Sequence, residues 1–178
     1  MKYEVIDNFL DEEYFDSLVT LFTTEKRTEY GLMPWHFFSN VSHHEGHEKW
    51  VAQNKIFYMN TVLYDQRSPT SPYYENMIPL VDKLGAWILI RIKANLYPNT
   101  ETLHEHPMHT DYPFFHSGAI LSLNTCDGYT KLKDGTKIDS IANRILLFDA
   151  SELHCSTTAT NVPARFNINL NYIQEQIL

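Results

Sequence analysis

Hydrophobic and polar positions along the first half of the chain predict helices between short strands. Residues 2–6 alternate, which predicts a strand, and apolar side chains recur at helical spacing over 14–22. Asp11 lies just before this helix and is the expected N-cap. Further strands are predicted at 35–39 and 55–64.

A second helix is predicted from the residues at its two ends. Ser71 is a suitable cap, Pro72 suits the first helical position, and Gly85 is typical of the residue after a helix. The residues expected to form its buried stripe are Tyr74, Met77, Ile78, Val81 and Leu84.

Two long predicted strands, at 87–97 and 165–173, each have one apolar and one polar face. The apolar side chains are Ile88, Ile90, Ile92, Ala94 and Leu96 in the first, and Phe166, Ile168, Leu170 and Tyr172 in the second. The polar side chains are Arg91, Lys93, Asn95 and Tyr97 in the first, and Arg165, Asn167, Asn169 and Asn171 in the second. The continuous polar face of the second strand predicts that it lines a wet interior.

The rest of the second half is also β-like, with strands predicted at 118–124, 129–133, 136–141 and 144–148. Asp134 and Gly135 form a two-residue hairpin signal of type I′. Many short strands after two helices predict a mainly β protein, a sandwich or barrel with the helices on one outer face. No linker or internal repeat divides the sequence, so residues 1–178 are expected to form a single domain.

Composition narrows the class of protein. The chain has 43% hydrophobic residues, which is a globular composition, and a formal charge of −8. This charge disfavours general nucleic-acid or membrane binding, although an enzyme that flips one base needs only a small basic patch. Neither an apolar signal region nor a membrane-spanning apolar run is present, and Cys126 and Cys155 form no disulfide framework. A soluble, cytoplasmic protein is expected.

The candidate chemistry is concentrated at residues 104–111, which hold three of the nine histidines and two carboxylates. In an extended backbone residues i and i+2 project from one face, so His109 and Asp111 can bind the same ion. His154 is the best third candidate because it also follows an apolar strand. Two histidines and one carboxylate leave coordination positions open, as non-haem Fe(II) oxygenases require. The sequence therefore predicts a catalytic iron site of His109, Asp111 and His154.

Arg165 follows the last of these candidate ligands by eleven positions, on the polar face of the final strand. A buried guanidinium is costly unless it is paired, and its planar fork matches a carboxylate. A small dicarboxylate that chelates the metal at one end and meets Arg165 at the other satisfies both groups. 2-Oxoglutarate has this shape.

These residues also carry a resemblance to a known family. From about Ala86 to Tyr172 the chain resembles the Fe(II)/2-oxoglutarate-dependent dioxygenases of the prolyl 4-hydroxylase-like branch, whose pattern is H-x-D, a distal histidine and a later basic residue. Leu123 and Asn124 resemble the L-N segment of that branch. The resemblance implies a double-stranded β-helix, which is a cupin-like jelly roll. It also implies Fe(II), 2-oxoglutarate and O2 chemistry, with hydroxylation of a prolyl-like peptidyl or small-molecule substrate and release of succinate and CO2.

The resemblance extends to the expected co-substrate pocket. In this branch a tyrosine shortly before H-x-D commonly contacts the distal carboxylate, and Tyr97 stands there. Thr130 ends a run that resembles the G-G-x-T segment, in which Asp127 replaces the first glycine, and Ser122 stands where some members carry a second tyrosine. Tyr97 and Thr130 are equally compatible with ordinary lining of a polar barrel. The expected co-substrate contacts are Tyr97, Ser122, Thr130 and Arg165.

Two alternatives belong to other classes of protein. A non-catalytic, cupin-like β-barrel could use such a site to bind a metal ion or a small ligand. Hydrolytic zinc chemistry is disfavoured because the only similar spacing misses H-E-x-x-H by one residue, in the loop of His43, His44 and His47. His104 and His106 share a strand face and could serve a cupin-like site, but Pro107 interrupts their register with His109. They are expected at the rim of the site, next to its ligands or in solvent, and His116 is expected at the surface or on the substrate side.

Overall fold

A computed structural model describes residues 2–39, 41 and 56–174 of the chain. The histidine-rich loop at 43–47 lies outside the described residues. Within the described part of the chain, no helix is both long and apolar enough to span a membrane.

Helices precede the long strands, as the sequence predicts. Helix α1 spans Glu12–Thr23, and the side chain of its N-cap Asp11 accepts a hydrogen bond from the Tyr14 amide. The second predicted helix is divided into a 3-10 helix at Pro72–Met77 and helix α2 at Ile78–Leu84.

This division corrects the predicted buried stripe. Pro79 has no amide hydrogen and is tolerated only in the first turn of a helix, so α2 begins beside it. The 3-10 helix turns every three residues instead of 3.6, which shifts the side chains relative to a continuous α-helix. Ile78 is 42% exposed, and Tyr74 and Val81 are only partly buried. The residues of this segment that are buried are Tyr73, Met77, Leu80 and Leu84.

The described strands form two antiparallel sheets. They are β1 (Tyr3–Ile6), β2 (His36–Phe38), β3 (Tyr58–Asp65), β4 (Ser68–Pro69), β5 (Ala86–Pro98), β6 (Ser117–Ser122), β7 (Tyr129–Leu132), β8 (Lys137–Asp139), β9 (Ile145–Asp149), β10 (His154–Ser156) and β11 (Ala164–Gln174). The large sheet has eight strands in the order β1-β9-β6-β11-β5-β3-β2, with β4 paired to β3. The small sheet has the order β10-β7-β8.

The main hydrophobic core lies between the helices and the outer face of the large sheet. Ile92 of β5 and Ile168 of β11 are fully buried there, in one cluster with Leu18 and Phe22 of α1 and Leu80 of α2. Burying a side chain of this size contributes about 1.5–3 kcal/mol. The apolar face of β11 and the Ile92 and Ala94 part of the β5 face therefore fix the helices on this side and leave the polar faces inward. The predicted alternation of β5 is wrong before Arg91, because an irregularity in its pairing with β11 lets Leu89 pack against the core while Ile88 is 44% exposed.

The small sheet covers the polar face of the large sheet. Arg165 of β11 donates hydrogen bonds to the Tyr129 carbonyl, at 2.9 Å, and to the Thr130 hydroxyl, at 3.1 Å, both in β7. Two antiparallel sheets that enclose a polar interior, with helices on one outer face, form a jelly roll. The predicted double-stranded β-helix is confirmed.

The predicted hairpin between β7 and β8 is confirmed, but its turn type is wrong. Gly135 has a φ of 90°, and its amide donates to the Leu132 carbonyl at 2.9 Å. Asp134 does not have the positive φ that a type I′ turn needs at both central residues. Its carboxylate instead accepts a hydrogen bond from the Thr136 amide, a local bond that favours a different turn.

Candidate functional site

His109, Asp111 and His154 form a candidate metal centre. One possible ligand atom from each lies within 4.8 Å of the other two, and His154 Nε2 is 3.9 Å from Asp111 Oδ2. Ligand atoms at these separations can surround one ion, since metal bonds to imidazole and carboxylate are about 2 Å long. The structure therefore brings the three sequence-predicted ligands together.

Backbone pairing positions the two histidines. The amide of each donates to the carbonyl of the other, with both distances at 2.9 Å, and the Asp111 amide donates to the Ala150 carbonyl at 3.1 Å. The H-x-D segment thus runs antiparallel beside β10. The alternation of an extended chain then directs His109 and Asp111 to the same side.

Both imidazoles have one nitrogen available for a metal. Nδ1 of His109 lies 3.2 Å from the Pro107 carbonyl, and Nδ1 of His154 lies 3.0 Å from the Glu152 carbonyl. A carbonyl can only accept, so each Nδ1 is the protonated nitrogen and each Nε2 carries the lone pair. Metal-binding histidines commonly have this arrangement, in which a backbone acceptor fixes the tautomer and the ring orientation.

Burial keeps the histidines in their metal-binding form. It lowers the pKa of His109 to about 4, with a further contribution from His154, and it also lowers the pKa of His154. Both rings are therefore neutral at pH 7 without bound metal. Neutral imidazole is the form that binds a metal ion.

Asp111 is ionised and held from both sides. Burial alone would raise its pKa, but the Arg91 guanidinium and other nearby positive groups hold that pKa well below the usual range. Arg91 donates to Oδ1 at 3.0 Å, while Asn171 and Asn169 donate to Oδ2 at 2.8 and 3.3 Å. A carboxylate has about four lone-pair positions, so these three bonds leave one for a metal ion.

Arg165 is 1% exposed and forms no ion pair with a described residue. Its Nη1 donates to the carbonyls of Tyr129 and Thr157, and its Nε has no described hydrogen-bond partner. Burial lowers the pKa of this guanidinium. Arg165 is therefore buried, as predicted, and no carboxylate among the described residues pairs with it.

Two neighbours position the Arg165 side chain. A Cβ on Gly128 would lie 2.8 Å from Arg165 Cδ and 2.7 Å from the Thr158 carbonyl oxygen, so only glycine leaves room at this place. The side-chain amide of Asn124 donates to the Ala164 carbonyl and accepts from the Phe166 amide, both at 2.9 Å. The Leu-Asn and Gly-Tyr-Thr segments of the sequence thus hold the backbone and stem of the arginine.

Tyr97 and Thr130 lie beside this guanidinium. The Arg165 guanidinium is 5.6 Å from the centroid of the Tyr97 ring, and β-sheet register places the two residues opposite each other. Burial raises the pKa of Tyr97 to about 12, so its hydroxyl stays protonated at neutral pH. Both residues line an interior cavity that also contains His109 and His154.

Solved structures with a similar fold include known oxygenases. A 2OG-Fe(II) oxygenase family oxidoreductase from Burkholderia pseudomallei matches with a TM-score of 0.65 and 10% identity, over 98% of this chain and 86% of that chain. The fold is that of 2OG-Fe(II) oxygenases. A prolyl-4-hydroxylase from Pseudomonas putida matches with a TM-score of 0.57 and 14% identity, over 97% and 92% of the two chains.

A third similar structure is that of an enzyme named for a different reaction. The non-heme alpha-ketoglutarate-dependent epimerase SnoN from nogalamycin biosynthesis matches with a TM-score of 0.58 and 12% identity, over 97% of this chain and 76% of that chain. No family model matches the sequence, and no curated protein matches it either. The structural similarity therefore establishes the fold and leaves the reaction to be argued from the site.

Ser122 lies on the inner face of the large sheet but does not line the interior cavity. It is 5% exposed and stands opposite Asn167, which does line the cavity. The cavity has a volume of about 20 Å³. Because 2-oxoglutarate is larger, its binding requires the lining side chains to move apart.

Two buried histidines could not be assigned correctly from the sequence. His106 is 2% exposed, its Nδ1 contacts both the carbonyl and the hydroxyl of Ser156, and its ring lies 5.2 Å from Tyr97. Burial and, to a smaller extent, repulsion from the Arg165 charge lower the pKa of His106 to about 3. His116 is fully buried, so a solvent position is wrong for both histidines. Irregular connections have no periodicity, and nothing in their spacing signals this burial.

Proposed function

We propose that the protein is an Fe(II)- and 2-oxoglutarate-dependent oxygenase. One observation carries the proposal: a neutral two-histidine, one-carboxylate cluster shares its interior with a buried arginine that has no described carboxylate partner. A metal ion alone would leave Arg165 uncompensated. A dicarboxylate that reaches both groups removes that cost.

The proposed roles follow from the donor atoms. His109 and His154 hold Fe(II) through Nε2, and Asp111 holds it through a carboxylate oxygen. Arg165 binds the distal carboxylate of 2-oxoglutarate, assisted by Tyr97 and Thr130. Ser122 is proposed as a more distant contact on the same face. When bound, the iron and 2-oxoglutarate supply the oxidative chemistry, in which O2 is consumed and succinate and CO2 are released.

The surrounding residues hold two groups of the site in the state needed for binding, namely the Asp111 carboxylate and the Tyr97 hydroxyl. Arg91, Asn169 and Asn171 hold the Asp111 carboxylate in one orientation, so little rearrangement is needed when a metal ion arrives. The hydroxyl of Tyr97 remains a hydrogen-bond donor at neutral pH because burial raises its pKa to about 12.

We propose hydroxylation of a peptidyl or small-molecule substrate as the outcome. The fold itself does not select this reaction, because the similar structures include both a prolyl-4-hydroxylase and an epimerase. The proposed metal ligands and co-substrate contacts are therefore the same whichever bond of the substrate is oxidised.

Anaerobic titration with Fe(II) and 2-oxoglutarate tests the proposal without a known substrate. The expected result is the charge-transfer absorption of a 2-oxoglutarate chelate, followed by slow formation of succinate and CO2 when O2 is admitted. Metal binding without chelate absorption would instead support the non-catalytic metal-binding barrel. Zinc in the purified protein would decide nothing, since zinc also occupies iron sites.

A further inference from the structure

Lys93 is a cation inside the candidate site that has no role among the proposed metal ligands and co-substrate contacts. It lines the same cavity as His109 and His154. Sheet register places it opposite Asn169, whose amide donates to Asp111. Arg165 lies opposite Tyr97, four residues further along β5, so Lys93 is on the metal side of the interior.

The charge of Lys93 is not balanced by a described carboxylate. Asp111 is paired with Arg91, and the carboxylates of the other described ion pairs have side chains at least 36% exposed. The Lys93 ammonium is 5.8 Å from the centroid of the Tyr58 ring, a contact that compensates only part of the lost hydration. Burial, followed by repulsion from Arg91, lowers the pKa of Lys93 to about 8, so the group remains mostly cationic at pH 7.

Binding of the proposed cofactors would not remove this excess of positive charge. The charges of Fe(II), Asp111, Arg165 and the 2-oxoglutarate dianion cancel one another. Those of Arg91 and Lys93 remain beside the metal. Both side chains are only partly buried, but a cation withdrawn from water is costly without an anion. Among the described residues, the site with its cofactors bound would still lack a negative group.

Two hydrogen-bond acceptors lie near this unbalanced charge. Oδ1 of Asn169 and Oδ1 of Asn171 are buried without a described hydrogen-bond partner. Their orientation is fixed, because the Nδ2 group of each amide donates to the Asp111 carboxylate, which can only accept. A ligand that satisfies this region therefore combines an anionic group with an N–H or O–H donor.

We propose that Lys93 binds a carboxylate of the primary substrate beside the metal, and that the substrate is a small acid with a neighbouring donor, such as an amino acid or a hydroxy acid. This inference rests on the proposed function and specifies its substrate class. The proximal carboxylate of 2-oxoglutarate offers the same chemistry. The experiment must therefore separate the two sources of the carboxylate.

The test compares wild type with Lys93→Met, which keeps the length of the side chain, and Lys93→Arg, which keeps the charge. Lys133→Met, at a lysine whose side chain is 58% exposed, is the matched control. Each protein is loaded with Co(II), with and without saturating 2-oxoglutarate. The paramagnetic relaxation of the fluorine signal is then measured for trifluoroacetate and for neutral trifluoroacetamide.

The expected result is saturable relaxation of trifluoroacetate, but not of trifluoroacetamide, in wild type, Lys93→Arg and Lys133→Met. This relaxation should be lost in Lys93→Met, while its 2-oxoglutarate affinity stays within about threefold of wild type, less than the loss of a charge partner would produce. No saturable relaxation in wild type, or equal relaxation in Lys93→Met, overturns the proposal.

The co-substrate affinity distinguishes the remaining outcomes. A loss of about tenfold or more in 2-oxoglutarate affinity in Lys93→Met would assign Lys93 to the co-substrate and overturn the substrate role. A different result would contradict the proposed function itself: the absence of chelate absorption in wild type with Fe(II) and 2-oxoglutarate. The fluorine measurement without 2-oxoglutarate still reports on Lys93 in that case.

Discussion

His109 and His154 are joined by two reciprocal backbone hydrogen bonds, each 2.9 Å long. This bridge connects the H-x-D segment to β10, although the two histidines are far apart in the sequence. Because it uses backbone atoms alone, it sets the separation of the imidazoles independently of their side-chain chemistry. The bridge should therefore survive substitution of either ring.

Alanine in place of His109 or His154 should remove metal binding while the fold is retained. We expect a loss of about 100-fold or more in Co(II) or Fe(II) affinity, measured by anaerobic titration, because the two remaining ligands hold the ion less tightly than three. The circular dichroism spectrum of the metal-free protein should be unchanged. His36→Ala, at an exposed position on β2, is the control and should bind metal normally. Wild-type affinity in either ligand variant would contradict the assignment.

The sequence allows prediction of those parts of the site that follow from strand periodicity. A period of two residues assigns Arg165, Lys93 and Asn169 to inner faces, because the apolar side chains that alternate with these three pack under the helices. Periodicity does not give register, which pairs Lys93 with Asn169 and Tyr97 with Arg165. The asparagine bonds to Asp111 and the charge imbalance at Lys93 depend on that pairing, so they emerge only from the folded structure.

The parts that could not be predicted lie where local geometry competes with pattern. Pro79 divides one expected helix into two, and the bond from the Asp134 carboxylate changes the expected turn. His106 stands in an irregular segment, and its burial depends on the distant Tyr97 and Ser156. In each case the deciding contact is either a single backbone preference or a neighbour remote in sequence.

Alanine in place of Gly128 should weaken 2-oxoglutarate binding without affecting the metal. The added Cβ would crowd Arg165 Cδ and the Thr158 carbonyl, so the guanidinium must shift from its present position. We expect a loss of about tenfold in 2-oxoglutarate affinity, similar to other changes that misplace a binding group, with Co(II) affinity unchanged. Equal losses for metal and co-substrate would indicate general destabilisation and contradict the specific role of this glycine.

Methionine in place of Arg165 should abolish 2-oxoglutarate chelation and preserve metal binding. Loss of a buried charge-assisted pair costs roughly 2–5 kcal/mol, which corresponds to a loss of about 30-fold to several thousand-fold in affinity. Arg165→Lys should recover only part of the affinity, because an ammonium lacks the planar fork. Arg144→Met, at an arginine paired with Asp7 outside the site, is the matched control. The dissociation constants from chelate absorption provide the measurement, and an unchanged value in Arg165→Met would refute the proposed contact.

Methionine in place of Lys93 should stabilise the metal-free protein, and the gain should shrink as pH rises. The pKa of Lys93 falls from 10.5 to about 8 on folding, so below pH 8 both folded and unfolded states carry the proton, and burial of the charge is costly throughout. Between these values the unfolded chain binds more protons than the folded chain, so the stability of the wild type rises with pH relative to the variant. Asp111, which faces Lys93 together with Arg91, stays ionised throughout because its pKa lies well below the usual range.

Urea unfolding of wild type and Lys93→Met from pH 7 to 10.5 measures the difference in the free energy of unfolding, which we expect to be about 1–3 kcal/mol at pH 7. Lys93→Arg remains charged over this range, so its deficit relative to Lys93→Met should not shrink; a parallel change in both variants would show that another group titrates.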